Sequence, residues 1–65
     1  MGEYAPGTNV RMQFSVDRLN TFAIHGMVIG PADPDVFPPD TVEVEWNIDG
    51  QPMFACAATS DLKVE

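Results

Sequence analysis

The chain is poor in the residues that small domains use to staple themselves or to do chemistry. Cys56 is its only cysteine and His25 its only histidine. An internal disulfide is therefore impossible, and a Cys/His zinc centre cannot be assembled within one chain. Basic residues are scarce, three Lys and Arg against ten Asp and Glu, for a formal net charge of −7. A field of that sign repels phosphate backbones and disfavours direct nucleic-acid binding. It suits a basic protein partner, and it also suits solubility alone.

No apolar run approaches the ~20 residues that a membrane-spanning helix needs. The stretch Met1 to Pro6 has no basic region followed by an apolar core, as a secretory signal would. Pro6 stands where a myristoylation signal carries Ser or Thr. With an unpaired thiol, these absences lead to the expectation of a cytoplasmic protein that does not engage membranes. A nucleophile elbow, a phosphate-binding glycine loop and a Cys-x-x-Cys pair are also missing. The expectation is a chain that is not an enzyme and holds no cofactor or metal.

What is present is the pattern of a small β domain. The 65 residues, 45% of them hydrophobic, suit one globular unit spanning 1–65. A unit of this size buries only about 60% of the surface its unfolded chain exposes. From Val10 to Asp17 apolar and polar residues alternate without a fault. Val10, Met12, Phe14 and Val16 then share one face of a strand, and Arg11, Gln13, Ser15 and Asp17 the other. The segment Thr21 to Gly30 is apolar on both faces and rich in strand-forming types. Gly26 interrupts it, which predicts a bulge or sharp bend there.

Pro31 to Asp40 contains Pro31, Pro34, Pro38 and Pro39 and reads as a stiff loop, neither helix nor paired strand. Thr41 to Ile48 alternates again, with Val42, Val44, Trp46 and Ile48 on the apolar side. Asp49-Gly50 is a strong two-residue hairpin signal. The return strand runs over 51–57, Ala58 to Asp61 is turn material suited to a short 3₁₀ turn, and 62–64 is a last short strand. The connections are too short for helical crossovers, so the five strands make an antiparallel sheet. Curling that sheet covers its apolar face and shortens its exposed edges.

The sequence of strand, loop, bent strand, loop, strand, Asp-Gly hairpin, strand, 3₁₀ turn and short strand resembles the small SH3-like barrel. That plan is shared by SH3, Tudor and KOW modules and by a small photosystem I subunit. The residues that carry the resemblance are Gly7 to Met12, Gly26 to Val28, Thr41 to Gly50 and Ser60 to Val64. It covers nearly the whole chain and rests on strand spacing and turn chemistry. It implies a five-stranded, strongly curved antiparallel sheet that closes into a barrel and binds through loops and one face. The ligands of those families do not follow. Trp46 lies on the apolar side of its strand and Tyr4 in the lead-in segment, so neither a proline-peptide groove nor a methyl-lysine cage is evident.

The leading candidate site is the loop tip, where Val36 and Phe37 stand between prolines beside Asp33, Asp35 and Asp40. A stiff loop with an apolar tip loses little entropy on docking. The competing reading is that Phe37 folds back to cap the core. Asp33, Asp35 and Asp40 offer oxygen ligands for calcium, but the EF-hand pattern is absent. Glu43 and Glu45 share the polar side of their strand and form either a solvated face, with Arg11 and Gln13 as possible partners, or an acidic strip for a basic partner. His25 and Cys56 make a base and thiol only if they meet in space; the plainer reading is a strand histidine and a small buried cysteine. Met12 reads as core, and Met27 and Met53 stay open between core and surface.

The expected function is therefore a non-catalytic protein-interaction module or accessory subunit. It binds a partner, or itself, through loop 31–40 and an acidic face made of Glu43 and Glu45. The alternative is an acidic inhibitor that imitates nucleic acid in the basic groove of a nucleic-acid-binding protein.

Overall fold

The computed structural model describes residues 4–15 and 17–65. The readings of Met1 to Glu3 and the placement of Val16 on the first strand lie outside the described residues. The elements are β1 (Asn9–Ser15), β2 (Thr21–Pro31), β3 (Thr41–Ile48), β4 (Gln51–Ala58), a 3₁₀ turn (Thr59–Asp61) and β5 (Leu62–Val64). All pairings are antiparallel within one sheet of order β4-β3-β2-β1-β5. The all-β antiparallel class is thus the one that the alternating pattern predicts. β4 and β5 are the two edges, and no ladder joins them among the described residues.

Asp49 and Gly50 both take positive φ, 53° and 79°. That is the type I′ turn whose twist matches the strands it joins. It sets the β3–β4 register from Ile48↔Gln51 through to Thr41↔Ala58. Because side chains alternate, Val42, Val44 and Trp46 then fall on the same face as Ala57. With Val10, Val28 and Leu62 they form the buried core, to which every strand contributes at least one residue. Val10, Val28 and Val44 have no exposed surface, and burial of each contributes roughly 1.5–3 kcal/mol.

Two features of β2 differ from expectation. The ladder runs through Gly26 without a shift, with Val10 opposite on one side and Trp46 on the other. The irregularity comes further on, between Val28 and Gly30, where Ile29 is the extra residue. Gly26 is there for space rather than for a bend. A Cβ at that position would lie 2.7 Å from Val44 Cγ1, 2.8 Å from Trp46 Cε3 and 2.9 Å from the Glu45 carbonyl oxygen. The indole of Trp46 occupies the place of the missing side chain. The second difference is Pro31, which is not loop but the last residue of β2, opposite Val42.

The core occupies only part of the sheet. At the β1–β2 hairpin end Phe14 and Phe22 stack with centroids 5.7 Å apart, and Phe22 stays half exposed. Phe14, placed by its alternation with the core, thus lies at its margin. Among the described residues no helix is long and apolar enough to cross a membrane.

Candidate interaction surfaces

The loop between β2 and β3 is organised by its own aspartates. The Asp33 carbonyl accepts the backbone N–H groups of Val36 and Phe37 at 3.1 and 2.9 Å. The Asp33 carboxylate accepts the N–H of Asp35 at 2.9 Å. Pro34 follows Asp33 as the turn begins, where its fixed φ favours the turn and its missing N–H costs nothing. At the other end Asp40 sits in the left-handed region at φ 66°, and its carbonyl accepts the Thr59 N–H at 2.8 Å. Ala32 N–H bonds to the Thr41 carbonyl at 3.1 Å. The Asp33 side chain and the Asp40 backbone therefore serve the loop's own shape. Asp35 and Val36 are exposed at the tip, and Phe37 beside them is partly covered. Val36 is 68% exposed and Phe37 37% exposed, and neither is among the buried core residues.

Glu43 and Glu45 lie on the outer face of β3, opposite the core. Their cross-strand neighbours are Cys56 and Phe54 on β4 and Gly30 and Met27 on β2. Arg11 and Gln13 are not beside them, because β2 stands between β1 and β3. Arg11 instead faces His25 on one side and Lys63 on the other. Arg11 and Lys63 thus lie on the β5–β1 side of the outer face, and Glu43 and Glu45 on the β3 side. Among the described residues the one contact between a carboxylate and a nitrogen base is His25 Nδ1 to Glu65 Oε1 at 2.9 Å. It borders a shallow depression of about 270 Å³ that Met27, Glu45 and Asn47 also line.

His25 and Cys56 do not meet. Both are on the outer face, but His25 is in register with Asn47 and Pro52, whereas Cys56 is in register with Glu43. Two strand spacings and four residues of rise put them roughly 16 Å apart. Asp33, Asp35 and Asp40 do not converge either. Among the described residues no three His, Cys, Asp or Glu side chains are placed to hold a metal ion.

The other carboxylate with a defined environment is Asp17, in the β1–β2 loop. It accepts the backbone N–H groups of Leu19 and Asn20 at 2.8 and 3.0 Å, and the Asn20 amide. The Leu19 N–H, followed by the Asn20 amide and N–H, holds its pKa below the ordinary value. It is an anchor for the loop.

The sequence reading passed over one surface, the outer edge of β4. Met53 and Phe54 are 54% and 61% exposed there, on opposite faces of the strand. The signal was present in the uncharged run from Gln51 to Ala58, but only strand order makes it an edge. No protein-family model, no curated protein and no solved structure matches the chain.

Proposed function

We propose that this chain is a non-catalytic protein-interaction module that docks through the tip of the loop before β3, with the acidic side of β3 favouring a basic partner. The observation that carries this reading is a loop braced by its own hydrogen bonds that nevertheless leaves Val36 and Phe37 outside the core. A braced loop has already lost the conformational freedom that docking would otherwise cost. The apolar surface that Val36 and Phe37 leave exposed is available to a partner.

The SH3-like plan is part of the same proposal. It draws support from the hairpin, from the 3₁₀ turn before β5, and from the edge residues Ala57 and Leu62 sharing one core. On this plan the two edges curl toward each other and the loops are left to bind. The test is capture of partners from the host by the wild-type chain and by Phe37→Ala and Val36→Asp. If the loop is the docking site, each variant stays folded and its affinity falls by more than about 1 kcal/mol. Equal capture by all three chains would remove the reading.

The alternative, an acidic occupant of a basic nucleic-acid-binding groove, draws on Glu43 and Glu45, which lack a cation partner among the described residues. Affinity falling steeply with salt, and unaffected by Phe37→Ala, would favour it.

A further inference from the structure

The two edges of the sheet are treated differently. β5 has three residues, one of them Lys63, and the chain beyond it is tied back by the Glu65 N–H to the Asn9 carbonyl at 2.9 Å. Short length and charge are the usual protections of an edge. β4 has eight residues, Gln51 to Ala58, and no charge. Its one protective residue, Pro52, stands near the start.

The hairpin register shows which backbone groups β4 leaves free. In a two-residue hairpin the pair that closes the turn, here Ile48↔Gln51, is hydrogen bonded, and bonded and non-bonded pairs alternate from there. Pro52, Phe54 and Cys56 fall on non-bonded pairs, so their backbone groups point away from β3. The missing N–H of Pro52 lies on this outward side and costs the ladder nothing. The N–H and C=O of Phe54 and Cys56 are an unpaired template. Among the described residues no backbone group bonds to this edge.

The side chains specify what fits. Phe54 and Cys56 point to the outer face, with Glu45 and Glu43 directly behind them on β3. Met53 and Ala55, both exposed, point to the core side. An added strand therefore meets Phe54 and Cys56, backed by carboxylates, on one face and Met53 and Ala55 on the other. Its outer-face residues lie two strand spacings, about 10 Å, from Glu43 and Glu45. A long Lys or Arg stem crossing Cys56 or lying on Phe54 closes that gap. A second copy of the chain suits this edge poorly. Its β4 brings no cation to face Glu43 and Glu45, and its own pair adds like charge three strand spacings away.

We propose that the outer edge of β4 takes up, as a sixth antiparallel strand, an extended segment of a partner protein in which basic residues alternate with apolar ones. Main-chain bonds to Phe54 and Cys56 supply the pairing, and the alternation supplies the selectivity. The site is separate from the loop tip, so Phe37→Ala leaves it intact.

The probe is the peptide acetyl-Lys-Val-Lys-Val-Lys-Val-Lys-amide, titrated into the full chain and followed by amide hydrogen exchange. Slowed exchange at Phe54 and Cys56 is expected. In the antiparallel arrangement the residues opposite Phe54 and Cys56 are the lysines, and their N–H groups bond to β4. N-methylation of the lysine amides should abolish binding, and N-methylation of the valine amides should leave it. The paired variant Glu43→Gln/Glu45→Gln should weaken binding by about three- to tenfold. A peptide of the same composition with lysines and valines in separate blocks should not protect the edge. The proposal fails if the block peptide or a Glu-Val peptide protects Phe54 and Cys56 equally. It fails also if lysine N-methylation is harmless or if no peptide protects the edge. Protection that rises with protein concentration in the absence of peptide, together with a dimer in sedimentation, would assign the edge to a second copy instead.

Discussion

Replacing Gly26 by Ala adds one methyl group where β2 packs closely against Val44 and Trp46 of β3. The new Cβ would lie 2.7 Å from Val44 Cγ1, 2.8 Å from Trp46 Cε3 and 2.9 Å from the Glu45 carbonyl oxygen. A valine methyl and an indole edge can retreat only by displacing the core, and the carbonyl belongs to the ladder. Overpacking of a close-packed interior costs typically ~1–3 kcal/mol, and three simultaneous contacts place this site at the upper end. The reduced freedom of the unfolded chain returns about 0.4–1 kcal/mol. The net loss is about 2 kcal/mol, against a total of roughly 3–10 kcal/mol for a domain of this length. For small domains each kcal/mol moves the midpoint by about 4–8 °C, so Tm should fall by about 8–16 °C. Thermal unfolding followed by circular dichroism and by Trp46 fluorescence measures it. Gly30→Ala is the matched control. It lies in the same strand, has no positive φ, and its Cβ would meet nothing within 4 Å. It should match wild type within about 0.5 kcal/mol or be slightly more stable. A Gly26→Ala protein melting no lower than the Gly30→Ala protein would refute the close-approach account of Gly26.

Gly50→Ala forces an alanine to φ near 79° in the hairpin and should cost about 1 kcal/mol, read from urea unfolding. Phe37→Ala should cost about 1 kcal/mol in urea unfolding, because Phe37 is covered only in part; a loss above about 3 kcal/mol would show that it packs as a core residue. Asp17 carries a pKa lowered by the hydrogen bonds it accepts from Leu19 and Asn20. A lowered carboxylate pKa contributes stability that is present above the unfolded-state value and lost as pH falls through the folded-state value. The Leu19 and Asn20 amides should therefore exchange faster in acid, after correction for intrinsic rates, and Asp17→Ala should remove that dependence. Glu65→Gln breaks the exposed His25 pair and should change stability by less than about 0.5 kcal/mol.

The strands were legible because their signals are local. Val42 to Ile48 alternates with a period of two, and Asp49-Gly50 demands a turn of one hand, so β3, β4 and their register follow from neighbours in the chain. The lead residues of the loop were legible for the same reason. Asp33 with Pro34 is a turn signal, and proline spacing rules out a ladder for most of the segment. The loop boundary moved by one residue, because Pro31 at a strand end has an N–H side that needs no partner. Gly26 shows the limit of local reading. A glycine within a strand marks either a bulge or a close approach. Choosing between them required knowing that Trp46, twenty residues on, lies across it.

Alternation, turn chemistry, the lone cysteine and histidine, and the acidic balance were settled by the amino-acid order alone, since each depends on covalent neighbours or on counting. The order of strands across the sheet was settled only by folding. That order puts β2 between Arg11 and Glu43, sets Arg11 between His25 and Lys63, separates His25 from Cys56, and leaves uncharged β4 at an edge. A period of two states which face a side chain takes and is silent on which strand lies beside it. Lateral neighbours come from long-range pairing, where burying Val10, Val28, Val44, Trp46 and Leu62 in one core outweighs any local preference.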